Sequence, residues 1–244
     1  LENFNGELFE QIEGYRADML AAAADLQRRA SHTVEFGGLL TGDVIAEGTS
    51  IIRSINVRNQ NPVFPPLFLT FLENRQWIAP IDAALVRMKR ALLSTRPPTP
   101  RVYAGFLTGV AASPMGGLFE LNVYDILDRV FPGAVPQPAL TGSTKRSDVR
   151  IEINGVAIYV EATVLDEGQH WRGIDKYMRE HGLSVYSSSG PGPAADARRI
   201  VLKSAEELKQ TAPDAPNVLA ISFFGAFPSE LARDWAFADL LAGA

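Results

Sequence analysis

Apolar residues recur at helical spacing over residues 4–30: Phe4, Leu8, Ile12, Met19 and Leu20, then an alanine run to Leu26, with charges between. That period predicts an amphipathic helix, with a break expected near Gly14. From Val34 to Val57 glycines mix with β-branched residues, which predicts irregular or short extended structure. Asn61 to Pro66 reads as a proline-punctuated turn, Pro80 to Leu93 as a helix, and Arg96-Pro-Pro-Thr-Pro100 as a rigid boundary. Beyond it the pattern predicts a helix from Leu118 to Phe131, strands from Asp148 to Ile153 and Val156 to Leu165, a helix from Ala194 to Gln210, and a strand from Val218 to Phe224. The expectation is an α/β (α+β) chain: a mainly helical N-terminal region, residues 1–112, followed by helices on a mixed sheet, residues 113–244.

Asn154-Gly155 lies between two alternating runs, and Asn-Gly is a strong signal for a two-residue type I′ hairpin turn. With Ile153 and Val156 flanking the turn, the register sets Arg150 against Tyr159 and Asp148 against Glu161. One face of this hairpin is wholly apolar (Val149, Ile151, Ile153, Val156, Ile158, Val160, Ala162) and is the expected core side. The two acids fall on the other face. Like charges directly across an antiparallel pair are destabilising, so something should compensate them, and a divalent cation does this.

The preceding helix supplies a third acid. At about 100° per residue, Glu120 shares a stripe with Tyr124, Leu127 and Phe131, while Asn122, Asp125 and Arg129 occupy the other side. A buried carboxylate needs a partner. Glu120 is therefore expected either to join the hairpin acids on a metal or, as a first-turn acid, to favour the positive end of its helix.

The whole-chain numbers narrow the chemistry. The chain has 244 residues, 46% of them apolar, enough for a sizeable core. No run approaches the length of a membrane span, and a soluble, cytoplasmic protein is expected. The absence of cysteine excludes thiolate sites, and three scattered histidines, His32, His170 and His181, argue against a zinc cluster, so a metal here is expected to be oxygen-ligated. The net charge of −5 gives no global basic footprint for nucleic acid, although a local basic rim remains compatible with it. Trp77, Trp171 and Trp235 are expected as core anchors. Ser113-Pro-Met-Gly-Gly117 precedes a helix but lacks the Gly-Lys-Ser/Thr ending of a phosphate loop.

Glu120 on a helix, Arg146-Ser-Asp148-Val-Arg150 and Tyr159-Val-Glu161-Ala-Thr163 on a hairpin, and a following helix and strand together resemble the PD-(D/E)XK nuclease superfamily over roughly residues 117–227. The resemblance implies a restriction-endonuclease-like αβββαβ core acting as a magnesium-dependent nuclease, with DNA as the expected substrate. It also implies Mg2+ or Mn2+ held by Asp148 and Glu161 with the backbone carbonyl of Ala162, Glu120 being the helix acid. The chain departs from the pattern in two places: no proline precedes Asp148, and Thr163 stands where the family has the lysine that helps activate water. Thr163 still shares a face with Glu161. In some members the basic group sits on the following helix, where Lys203 is the natural counterpart, with Arg199 one turn earlier. Lys145, Arg146, Arg150 and Arg199 are expected to contact nucleic acid.

The alternative from a different class is a catalytically degenerate nuclease-fold module serving in nucleic-acid binding or protein assembly. The missing lysine and the net negative charge both favour it. A third possibility, that the acids are structural, predicts no metal binding. The N-terminal region is compatible with target recognition, dimerisation or docking to a partner, and a homo-oligomer or larger complex fits the same pattern.

Overall fold

In a computed structural model the chain is a mixed α/β protein with helices and a four-stranded mixed sheet. The structure describes residues 2–55, 62–95, 98–140, 145–164, 200–204, 212 and 214–222, and of residues 2–9 the backbone alone. Two compact units divide it, Leu1–Asp125 and Ile126–Ala244. Among the described residues no helix is long and apolar enough to cross a membrane.

The first unit is built from α1 (Glu2–Ala30), α2 (Gly42–Ser54), α3 (Pro66–Glu73), α4 (Ile78–Ser94), α5 (Pro100–Ala112) and the first turns of α6 (Pro114–Val130). Along α1 the buried positions Met19, Ala23, Leu26 and Ala30 follow the helical period. The expected break at Gly14 is absent and α1 runs straight through it. A glycine inside a helix costs only about 1 kcal/mol relative to alanine, which a long packed helix absorbs.

Residues 34–57 also depart from expectation, because most of the stretch is α2. Thr41 caps it, its side chain accepting from the Val44 N–H at 3.4 Å, and Ile45, Gly48 and Ile52 face inward. Gly48 is required by contact: a Cβ there would lie 2.5 Å from the Phe68 ring. The β-branched residues that suggested extended structure form the buried face of a helix, since packing overrides propensity. Phe36 and Phe71, both fully buried, meet edge to face with centroids 4.7 Å apart.

The boundary expected at residue 113 is placed by the structure at Asp125/Ile126. Two contacts tie α6 to the helices before it. A Cβ at Gly117 would stand 2.5 Å from Val110 of α5, and Asp125 forms an ion pair with Arg87 of α4. Asp125 was expected on the polar side of its helix, yet it is 8% exposed. The helix also starts earlier than Leu118, at Pro114, so Glu120 lies beyond the first turn and the capping role expected for a first-turn acid does not apply.

The second unit holds the sheet, in the order β1 (Val135–Pro136), β2 (Val149–Ile153), β3 (Val156–Val164), β4 (Asn217–Ser222). β1 pairs antiparallel with β2 and β2 with β3, while β3 and β4 run parallel. Asn154 and Gly155 adopt φ of 53° and 79°, the left-handed pair of a type I′ turn, and the register puts Ile153 opposite Val156 and Arg150 opposite Tyr159, as the turn predicts. Val149, Ile151 and Val160 bury the apolar face. Residues 200–204 are helical, with Ile200 and Ser204 buried one turn apart. The rest of the helix expected over 194–210 lies outside the described residues, as do Arg199, Trp171 and Trp235. Trp77 is half-buried in the short helical turn that precedes α4.

Candidate functional site

The ladder between β2 and β3 ends at Val149 opposite Val160. Continued one step, it would set Asp148 against Glu161, and a further step would bond Ser147 to Ala162 through their backbones. The chain leaves that path. The Ser147 N–H turns to the Pro138 carbonyl at 3.1 Å, and two side chains take over the edge of β3. Ser147 Oγ donates to the Val160 carbonyl at 3.1 Å, and Asp148 Oδ2 accepts from the Ala162 N–H at 2.7 Å. The Asp148 carboxylate is thus seated against β3 beside Glu161. Because the N–H and C=O of one strand residue point to the same edge, the Ala162 carbonyl faces that edge as well.

Glu161 and Thr163 are adjacent on one face of β3, 4% and 7% exposed, with Leu219 and Ile221 as their neighbours on β4. A solvated surface face, the ordinary home of hairpin acids, does not describe them. Burying a carboxylate costs several kcal/mol unless partners or a cation offset it.

A residue that sequence reasoning passed over organises the other side of Asp148. Gln137, between Pro136 and Pro138, has φ of 48°, a left-handed conformation uncommon for a side chain of its size. Its N–H donates to the Asp148 carbonyl at 2.8 Å, and its Nε2 stands 3.5 Å from Asp148 Oδ1. Arg146 Nη1 donates to the Gln137 carbonyl at 2.5 Å. No local signal pointed to it, since the proline that follows favours extended backbone at Gln137 rather than the left-handed conformation it adopts.

Of the other expected residues, Lys145 and Arg146 are exposed and Arg150 is half-buried on the face of Glu161. Lys203 is half-buried in the helical stretch before Ser204. Glu120 is half-buried on the part of α6 that belongs to the helical unit. Among the described residues no three of His, Cys, Asp and Glu form a group that could hold a metal. What the sheet unit offers is two carboxylates and a carbonyl, a set of hard oxygen donors that suits Mg2+ or Mn2+ with water completing the shell.

Comparison with protein-family models, with curated proteins and with solved structures found no match for this chain.

Proposed function

We propose that the sheet unit is a restriction-endonuclease-like core that hydrolyses phosphodiester bonds with Mg2+ or Mn2+, DNA being the expected substrate. One observation carries the reading: Asp148 is fixed by the Ala162 N–H at the end of the hairpin, beside the buried acid Glu161. Asp148, Glu161 and the Ala162 carbonyl would hold the metal. When bound, such an ion lowers the pKa of a coordinated water and stabilises charge developing on phosphate oxygens. The chain's own residues orient and screen. Ser147 and Gln137 hold Asp148 in place, Leu219 and Ile221 flank Glu161 on its face of the sheet, and Lys203 supplies the positive charge that the Thr163 position lacks. Lys145, Arg146, Arg150 and Arg199 would contact the strand. The setting expected for this activity is cytoplasmic.

Thr163 favours a second reading. A buried hydroxyl in place of a lysine cannot neutralise a phosphate, so the same fold could serve as a degenerate module in nucleic-acid binding or assembly. Calorimetric titration of Mg2+ into wild type and Glu161→Gln, with cleavage of linear, circular and single-stranded DNA in parallel, separates the two. The nuclease reading expects metal binding and cleavage in wild type and neither in the variant. Binding without cleavage moves the assignment to the degenerate module, and absence of binding in both proteins removes the metal centre.

A further inference from the structure

The helical unit holds a concentration of charge that the hairpin reading does not use. Asp25 on α1 receives three guanidiniums: Arg28 through Nη2, Arg29 through Nε at 2.9 Å, and Arg75 through Nη1 at 3.1 Å. The hydrogen bond from Arg29, followed by that from Arg28, holds the Asp25 carboxyl below the usual carboxylate range despite some desolvation. These arginines, His32 and Gln76 border a pocket of about 310 Å³ whose wall also includes Asp82. Asp82 does not serve the arginines, because its oxygens accept from the backbone N–H groups of Val34, Glu35 and Phe36 at 2.7–3.1 Å.

One carboxylate cannot satisfy three guanidiniums. Each guanidinium carries five N–H donors in a planar fork, and each here directs a single nitrogen at Asp25. Two positive charges stay uncompensated by Asp25, and counting Asp82 still leaves one. As a mere brace for α1 against the turn before α4, Arg75 with Asp25 would suffice. Adding two more like charges at the rim of a pocket raises the energy of the empty state, and an anion entering the pocket offsets it. Arginine's fork also matches phosphate oxygens two at a time.

We propose that this pocket binds a backbone phosphate of a nucleic-acid strand. The preference for an anion rests on the pocket alone. The choice of nucleic acid over an acidic protein rests on reading the hairpin acids as a phosphodiester-hydrolysing site. In a chain of net charge −5, this is a place where a polyanion meets positive potential without base-specific contacts.

The test is fluorescence anisotropy of labelled single-stranded and duplex oligonucleotides in EDTA, where no hydrolysis occurs, with inorganic phosphate and polyglutamate as competitors. Arg75→Gln and Arg28→Glu are compared with wild type, circular dichroism confirming the fold. Arg28 is 67% exposed, so its substitution leaves the packing intact even if Arg75→Gln does not. The expected result is about a tenfold loss of oligonucleotide affinity in either variant and a salt slope shallower by about one. Unchanged affinity in Arg28→Glu overturns the proposal. So does competition by polyglutamate equal to that by unlabelled oligonucleotide, which assigns the pocket to an acidic protein, and so does binding of inorganic phosphate with no oligonucleotide bound, which assigns it to a small phosphate. Cleavage with Mg2+ is scored separately, so loss of one activity leaves the other reading standing.

Discussion

Each unit contains an aspartate whose carboxylate accepts from the backbone, Asp82 among the helices and Asp148 at the edge of the sheet, and they differ in what surrounds them. Asp82 receives three N–H groups and ties the residues leading into a short helical turn to α4. Close by, Glu35 accepts from Lys89 at 2.7 Å and from the Tyr103 hydroxyl at 3.1 Å, and burial, with the Glu35 carboxylate beside it, pushes the Tyr103 phenol well up. This polar burial is absorbed by the fold. Asp148 Oδ2 accepts from the Ala162 N–H, which places this half-buried carboxylate at the end of the strand pair next to the buried acid Glu161. Asp82 thus closes a turn of the fold, whereas Asp148 is positioned at a strand end beside another acid.

The two aspartates should come apart when each is neutralised. Under the proposed activity, Asp148→Asn removes one of two protein carboxylates from the metal. Several kcal/mol of charge stabilisation is then lost, and cleavage falls by about a thousandfold. Stability changes far less, because the amide oxygen can still accept from Ala162 and a hydrogen bond to a charged group is worth about 1.5–3 kcal/mol at most. Asp82→Asn should do the opposite, leaving cleavage within about twofold while lowering unfolding free energy by about 1–2 kcal/mol, the low end because the carboxylate is only half-buried. Equal effects of both substitutions on both readouts, measured by urea denaturation and by initial cleavage rate, would erase the distinction.

The pH dependence sharpens the Asp82 side. Burial alone would raise its pKa, but the N–H groups of Phe36, Val34 and Glu35 outweigh it, and the folded state holds the carboxyl below its ordinary 3.8. A depressed folded value means that the ionised form stabilises the fold above about pH 4, and that this contribution is lost as pH falls through the lowered value. Wild type and Asp82→Asn should therefore differ in denaturation midpoint at pH 7 and converge as pH falls through the lowered value. A difference that persists unchanged in acid would mean that the carboxylate's charge is not what braces α4.

What the sequence disclosed follows the range of the interactions involved. The hairpin was legible because its turn chemistry and alternation are local: Asn154 and Gly155 supply the left-handed pair, and the register follows by counting. β1 was not, since a two-residue strand that ends in a proline carries no period. Asp125 was expected among polar positions because the partner that buries it, Arg87, is distant in sequence and leaves no trace in the local period. The acids themselves were readable, but the seat of Asp148 on the Ala162 N–H depends on where the ladder ends, and the Arg28, Arg29 and Arg75 pocket depends on a contact between α1 and residues fifty positions away.

Glycines show the same divide and offer the smallest effect. Gly14 looked like a helix breaker, yet a Cβ there meets nothing within 4 Å and α1 continues through it. Gly14→Ala should accordingly raise stability by about 0.5–1 kcal/mol, because alanine keeps the helical conformation and loses less backbone entropy on folding. Gly48→Ala, at an equally helical position, should lower it, since the new Cβ would stand 2.5 Å from the Phe68 ring and the ring must move. Thermal melts of the two variants should shift in opposite directions. If both rise, α2 and α3 are not packed as closely as Gly48 requires; if Gly14→Ala falls, its φ is not helical and the sequence was right to expect a break.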